Sequence, residues 1–358
     1  VSRGKKVIDL SFSETTPDSL NQKAIDSGAK ILWDVGIAPG FSNMLIAYAS
    51  RFGGGISNAE IRVGGNPVER DEKWSYMAPF SPNDVIAEYT RPARVLRDKK
   101  VITLDALSER HIINVNKKGE MEAFLTDGLR SVLYTIPSTN LSEYTVRWPG
   151  HIQKFIDERD KNNLYYEQLL KEWEYSPEIS EFTWLEVVAY GCEGKKIRWI
   201  VSDEGGPDGH SMARCTGLVT VFCIEEWISN PKMLKIGIHP PENLDANVIN
   251  TIVSRMKAEN ISIFKDSKET DKRIKEIAKN QPNFKDASEN TKAKEGDLVA
   301  FDYTATVDNK TFKGGEGKNT QLTLGKDLFL KGFDKQLIGV KNSDETVSYT
   351  HLTLPTKA

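Results

Sequence analysis

Lys5-Lys6-Val7-Ile8-Asp9-Leu10-Ser11-Phe12 and, beyond an intervening helical stretch, Ala29-Lys30-Ile31-Leu32-Trp33-Asp34-Val35-Gly36-Ile37-Ala38-Pro39-Gly40 decide the fold. Each opens with a short apolar run that reads as a buried strand. Between them, residues 14–28 carry Leu20, Ala24 and Ile25 at helical spacing. Strand, helix and strand in so short a span form a βαβ unit with parallel strands, because the helical crossover returns the chain to the same end of the sheet. The second strand therefore delivers Asp34 to a carboxyl edge, where open α/β sheets hold their ligands. The Gly36–Gly40 turn leads into a helix from about Ser42 to Arg51, whose first amides are free to meet an anion or a dipole. Ser42 and Asn43 at that terminus are equally what ordinary capping requires.

Outward from this unit the pattern changes. Strands are expected at 59–63, 101–104 and 111–115, the last followed by an Asn116-Lys117-Lys118-Gly119 turn. Residues 151–173 place Ile152, Phe155, Ile156, Leu164, Leu169 and Leu170 among charges at helical spacing. Runs at 186–190 and 197–201 flank Gly191 to Lys196 as a hairpin, and a helix of small residues starts near Met212. Near residue 265 the composition shifts. All seven tryptophans and all three cysteines precede it, and a lysine-rich polar stretch then gives way to glycine-punctuated strands. The domain boundary is placed at 265–268.

At 358 residues the chain has room for about two or three domains. Lysine and arginine total 48 against 51 acidic residues, a net charge of −3, which supplies no general cationic surface for nucleic acid or anionic lipid. No run approaches the ~18 apolar residues of a membrane span. Cys192, Cys215 and Cys223 are odd in number and lack metal-ligand spacing, so no metal is expected and a reducing cytoplasm is the expected compartment.

Other strings carry chemistry. Met121-Glu122-Ala123-Phe124-Leu125-Thr126-Asp127-Gly128-Leu129-Arg130 sets two carboxylates and an arginine beside small residues. Arg147-Trp148-Pro149-Gly150-His151 flanks a turn with an arginine and a histidine, and His210-Ser211-Met212-Ala213-Arg214-Cys215-Thr216-Gly217 holds an arginine among small residues. Arginine can clamp a carboxylate with two parallel bonds, and histidine can move a proton near neutral pH. Singly, each string is also what a surface ion pair or a helix cap looks like.

Taken in order, Asp34-x-Gly36-x-Ala38-Pro39-Gly40-x-Ser42-Asn43, Val63-Gly64-Gly65-Asn66-Pro67, Ser81-Pro82 to Tyr89-Thr90-Arg91-Pro92-Ala93, Glu122-Ala123 to Thr126-Asp127-Gly128-Leu129-Arg130, Arg147-x-Pro149-Gly150-His151 and Gly237-Ile238-His239-Pro240-Pro241-Glu242 resemble the saccharopine dehydrogenase family, including its saccharopine-reductase and lysine 6-dehydrogenase-like members. The resemblance covers about residues 5–264. It implies an α/β fold, with a C-terminal remnant of a Rossmann sheet over 1–45 and a mixed α/β catalytic domain over 46–265 that returns to it. It also implies an NAD(P)-linked oxidoreductase moving hydride to or from the carbon of a C–N bond in an amino acid, with homodimerisation through the catalytic domain. By the same resemblance Asp34, Gly36, Pro39, Gly40 and Asn43 lie beside the nicotinamide or the reacting carbon. Glu122, Asp127, Arg130, Arg147, His151 and Arg214 would line the substrate cleft with the arginines on carboxylates, and His151 is the acid–base candidate. No Gly-x-Gly-x-x-Gly turn precedes Lys5, so the pyrophosphate site is expected to be incomplete and NAD(P)H to bind poorly.

Beyond 265, Glu295 to Ala305 alternates like a strand and a turn at Asp308-Asn309-Lys310 follows. Tyr303, Phe312, Phe329, Leu330 and Phe333 read as the core of a small β-domain or as an apolar pocket. The stretch 268–346 resembles a trigger-factor-like FKBP-type prolyl isomerase, truncated and β-rich, in which those five residues are the prolyl pocket. Little isomerase activity is expected, since the family's later strands are missing. Residues 347–358, with His351, look like a translated adapter tail. Three readings stay open: an oxidoreductase fragment, a folding factor, or an artefactual fusion of the two.

Overall fold

The strands β1 (Lys6–Ile8) and β2 (Lys30–Leu32), joined through α1 (Asn21–Ser27), pair in parallel with Val7 opposite Ile31, which is the βαβ unit expected. Gly28 ends the helix at φ 72°, a left-handed conformation that glycine adopts without a Cβ penalty. The computed structural model describes residues 1–13, 15–161, 165–192, 195–206, 209–267, 287–288, 290–307, 310–325 and 332–347, without the side chains of 267 and 312–314. Leu164, Phe329, Leu330, His351 and the side chain of Phe312 thus lie outside the described residues.

After the Gly36–Gly40 turn come α2 (Phe41–Phe52), β3 (Ile56–Pro67), α3 (Pro82–Thr90), β4 (Ala93–Arg97), β5 (Lys100–Leu104), β6 (His111–Val115) and β7 (Gly119–Leu125). A short α4 (Val132–Thr135) leads to β8 (Asn140–Arg147), and the single helix expected over 151–173 is two, α5 (His151–Asp160) and α6 (Tyr166–Glu172). The hairpin of β9 (Glu181–Gly191) and β10 (Lys196–Glu204) follows as expected, with Trp199 opposite Val187. The unit closes with α7 (Ser211–Ser229), β11 (Gly237–His239), α8 (Ala246–Ala258) and β12 (Ser262–Ser267).

Two sheets result. The small one is parallel, in the order β1–β2–β11. The large one has nine strands, β12–β10–β9–β3–β8–β4–β5, with β7 also on β8 and β6 on β7. Within it β3 and β8 run parallel, Asn58 opposite Asn140. β9 is buried along nearly its whole length because both of its faces are covered. Leu185, Val187 and Ala189 join Ile46 of α2, Val219 of α7 and Ile249 of α8 in one core, while Phe182 and Trp184 face Tyr144 and Trp148. A third, aromatic core of Trp74, Tyr76, Tyr89, Phe124, Phe155 and Trp173 holds α3, α5 and α6.

The chain divides into two units, Val1–Lys272 and Arg273–Ala358. The second contains the antiparallel pair β13 (Leu298–Val307) and β14 (Lys310–Thr323), and the short α9 (Phe333–Leu337). Its buried side chains include Leu322, Leu324 and Leu337, with Phe301 and Phe333 packed against them. All three cysteines are free thiols, Cys192 exposed and Cys215 and Cys223 buried. No helix among the described residues is long and apolar enough to cross a membrane.

Candidate active site

A cleft of about 460 Å³ opens at the carboxyl end of β2. Its walls come from separated parts of the first unit: Leu10 and Phe12, Asp34 to Ser42, Val63 to Gly65, Pro79 and Phe80, Asp84 to Arg91 on and after α3, Thr126 to Gly128 just after β7, Glu143 to Arg147 on β8, and His210 to Thr216 at the start of α7. The strands explain the convergence. Parallel pairing of β3 with β8 brings Gly64 and Gly65 beside the end of β8, and a Cβ on Gly64 would lie 2.3 Å from the Val146 carbonyl oxygen. In β8, Glu143, Thr145 and Arg147 alternate and so share one face, and all three line the cleft. The α7 helix is held to the loop by Thr220, whose hydroxyl donates to the Val35 carbonyl at 2.9 Å.

Asp34 sits at the cleft floor with its side chain 0% exposed and its backbone at φ 52°. Arg130, itself 1% exposed and at φ 55°, grips it with Nε at 2.7 Å and a terminal nitrogen at 3.2 Å. The other terminal nitrogen donates to the Ser13 carbonyl at 2.7 Å, and the guanidinium lies over Phe12. Burial pushes the Asp34 carboxyl up, against the pull of Arg130. Left-handed backbone at two non-glycine residues that meet face to face is stored strain, which collects where geometry matters.

The sequence-predicted residues divide into three groups. Asp34, Gly36, Pro39, Asp127 and Arg147 line the cleft. Gly40 and Asn43 stand behind it, closing the turn through the Asn43 Oδ1 that accepts the Gly40 amide at 3.4 Å. Arg130 also stands behind, spent on Asp34 rather than on a substrate carboxylate. Glu122 and Arg214 lie elsewhere: Glu122 accepts from Arg110 Nε at 2.7 Å, and Arg214 pairs with Asp203 at 2.7 Å. Asp127 is a structural anchor, accepting from the Arg94 backbone amide and from Nε and one terminal nitrogen along one edge of its guanidinium.

His151, the acid–base candidate, is not among the residues lining the cleft. It is 3% exposed inside the aromatic core, one ring nitrogen 3.0 Å from the Tyr89 hydroxyl and the other 2.9 Å from the Trp74 carbonyl. Burial, helped by the charge of Arg147, pushes its pKa down to about 3. A neutral imidazole with both ring nitrogens engaged, outside the cleft lining, is poorly placed for proton transfer there. Arg147, in contact with Tyr89 and Tyr76, is the link from this core to the cleft.

Three residues were missed as site residues. Arg91 lines the cleft beside Asp127, its Nε 3.3 Å from Oδ2, over the Phe12 ring. Glu88 lines it from α3, 3.6 Å from Arg147. Glu143, 4% exposed, has its carboxyl pushed up to about 8 by burial, with the charges of Glu88 and Asp127 adding to the rise. Its Oε2 accepts the Gly128 amide at 3.1 Å, and a Cβ on Gly128 would lie 2.6 Å from that carboxyl, so glycine is what lets the acid lie there. The signal in the sequence was the alternation Glu143-x-Thr145-x-Arg147, a polar strand face that must be buried against something polar.

In the second unit Phe301 approaches Tyr303 at 6.1 Å and Phe333 at 5.5 Å between ring centroids.

Comparison with known proteins gives two separate likenesses. Residues 36–261 match the saccharopine dehydrogenase C-terminal domain, and residues 289–349 the FKBP-type peptidyl-prolyl cis-trans isomerase family. The fold is similar to that of apo saccharopine dehydrogenase (L-Glu forming) from Saccharomyces cerevisiae, with a TM-score of 0.56 at 13% identity, covering 73% of this chain and 79% of that one. The trigger factor of Pelagibacter ubique is 60% identical over 103 residues, 29% of this chain and 21% of that protein. The trigger factor of Zymomonas mobilis is 37% identical over 92 residues, 26% and 19% respectively. The chain thus spans about a fifth of the length of the trigger factors it matches.

Proposed function

The chain belongs, over residues 36–261, to the saccharopine dehydrogenase C-terminal domain family, and from that premise we propose that its cleft is the substrate side of an NAD(P)-linked oxidoreductase acting on a carbon–nitrogen bond of an amino acid. The observation that carries the reading is the convergence of Asp34–Pro39, Gly64–Gly65, Thr126–Gly128, Glu143–Arg147 and Met212–Thr216 on one cleft at a carboxyl sheet edge.

The lining fits the ring end of the cofactor. Ala38 and Pro39 on the turn and Met212 and Ala213 at the start of α7 give the cleft an apolar stretch of lining. At Gly36 the turn and α7 already touch: the Ile37 amide donates to the Thr216 hydroxyl at 3.4 Å, and a Cβ at Gly36 would stand 3.5 Å from the Thr216 side chain. A bound nicotinamide supplies the hydride acceptor or donor. Arg91, oriented by Asp127, takes the substrate carboxylate, because the other arginines of the first unit's site are committed to protein partners. Asp84 and Glu88, on the same side as Arg91, give the α3 wall an acidic character that favours the amino group. Phe12 and Phe80 narrow the cleft and limit access of water.

Saturation-transfer NMR on the whole chain tests this with reduced nicotinamide mononucleotide, whose ring needs no pyrophosphate site. Irradiating protein methyls should transfer saturation to the ring protons, and Met212→Trp, which puts a bulkier side chain into the cleft lining, should abolish the transfer. No transfer, or transfer unchanged in Met212→Trp, contradicts the reading.

A second reading belongs to the C-terminal unit. Its FKBP-type match and its identity to trigger factors support prolyl-peptide binding, with Tyr303 and Phe333 among the contacting rings.

A further inference from the structure

Inside the cleft, two carboxyl groups from different elements are joined by a row of hydroxyls. Oε2 of Glu143 is 2.5 Å from the Thr126 hydroxyl, which is 2.9 Å from the Thr145 hydroxyl, which in turn is bonded to Oε1 of Glu88. Four oxygens are thus connected by three hydrogen bonds in series. Each bond needs one hydrogen, and each threonine hydroxyl owns only one. Two threonines therefore complete two of the three bonds, and the third hydrogen has to sit on one of the carboxyl groups. With the proton on Glu143 every bond points toward Glu88; with it on Glu88 every bond points the other way. Moving the proton from end to end only reverses three short bonds.

We propose that Glu143, Thr126, Thr145 and Glu88 share one extra proton and that Glu143 passes it to the substrate nitrogen. The identity of the proton's acceptor rests on the reading under Proposed function; the existence of the shared proton does not. In the reducing direction the imine nitrogen forms a bond to the Glu143 proton, and the O–H bond of Glu143 breaks. The imine carbon gains hydride, two electrons with one hydrogen nucleus, from the dihydronicotinamide, which is left as the oxidised pyridinium. An amine results and Glu143 is a carboxylate. A solvent proton taken up at Glu88, whose side chain is 19% exposed, then crosses Thr145 and Thr126 and restores the acid. In the oxidising direction the same atoms move in reverse.

The surroundings set where the proton rests. Glu143 is enclosed by β7 and β8 and meets Thr126 and the Gly128 amide, with Asp127 nearby and already held by Arg94 and Arg91. Glu88 lies 3.6 Å from Arg147. Burial holds the proton on Glu143 up to about pH 8.

The test is a carbon-13 NMR titration of the full chain labelled at the glutamate side-chain carboxyls. One glutamate should titrate near pH 8, and its signal should be missing in Glu143→Gln. Thr145→Val gives the discriminating result. It touches Glu88 and Thr126 but not Glu143, and it removes the Thr126–Thr145 bond that the shared proton completes, so holding that proton no longer gains a bond. The high midpoint should then fall by about one pH unit, a tenfold change matching one hydrogen bond. A midpoint unmoved by Thr145→Val means a merely buried acid and overturns the proposal. So does a wild-type chain with no glutamate titrating above pH 6, whatever the variants do. If the cleft does not bind nicotinamide, the ring-saturation experiment fails while this titration is unaffected.

Discussion

Replacing Arg130 with methionine is expected to cost the first unit about 3–5 kcal/mol of unfolding free energy at pH 8, the loss typical of breaking a buried ion pair from one side. Methionine fills much of the same volume, so the cost is electrostatic: it strands the Asp34 carboxylate at 0% exposure. It also removes the donor to the Ser13 carbonyl, which ties the segment after β1 to the cleft floor. Asp34 can escape by taking up a proton, a step its raised pKa already favours. The loss should therefore be smaller at pH 5 than at pH 8. Adding Asp34→Leu to Arg130→Met should recover much of the stability, because a well-packed apolar pair is often as stable as the ionic one. Urea unfolding followed by tryptophan fluorescence reads this cleanly, since every tryptophan lies in the first unit. A cost below about 1 kcal/mol would assign Arg130 to the weak class of surface pairs.

Stability should also pass through a plateau set by two buried groups with opposite demands. His151 has a folded pKa of about 3 against 6.5 for the free side chain. Between those values the unfolded chain binds the proton and the folded chain does not, so stability is full above pH 6.5 and falls as the pH drops toward 3. Glu143 has a folded pKa of about 8 against 4.5. Its contribution is full below pH 4.5 and is lost as the pH climbs toward 8. Each swing is on the order of 5 kcal/mol by linkage. From pH 4.5 to 6.5 the two slopes oppose each other, and the first unit should be most stable there. Glu143→Gln should flatten the alkaline decline, leaving the part due to Asp34 and Glu242, whose carboxyls burial also raises. His151→Gln should flatten the acid decline. Thermal unfolding by tryptophan fluorescence across pH 3–9 checks both slopes; an alkaline slope identical in Glu143→Gln would contradict the protonated state of that acid.

What could be read in advance follows the range of the physics. The βαβ unit, the β9–β10 hairpin and the helix after His210 were legible because each depends on periodicity and turn chemistry within a short window. The α3 helix went unassigned although Ser81-Pro82 is a good start, with proline at the first helical position. That omission hid Glu88 and Arg91. Glu143 needed more than local pattern: its place depends on β7 lying antiparallel to β8, with Leu125 opposite Tyr144 and Thr126 following into the cleft. His151 misled for the opposite reason. Its chemistry is conspicuous, but Tyr76, Tyr89 and Trp173 close around it, and nothing near it in sequence announces those rings. Arg214 and Glu122 likewise carry suitable charges that the fold spends on Asp203 and Arg110.

A crystal structure of the whole chain with reduced nicotinamide mononucleotide and a secondary-amine amino acid measures the decisive distances at once. The expected density has the ring between Pro39 and Met212, the carboxylate on Arg91, and the amine nitrogen within about 3.2 Å of Glu143. A ring seated away from the Gly36–Pro39 turn, or a nitrogen out of reach of Glu143, would contradict the assignment of this cleft as the place where the bond to nitrogen is made and broken.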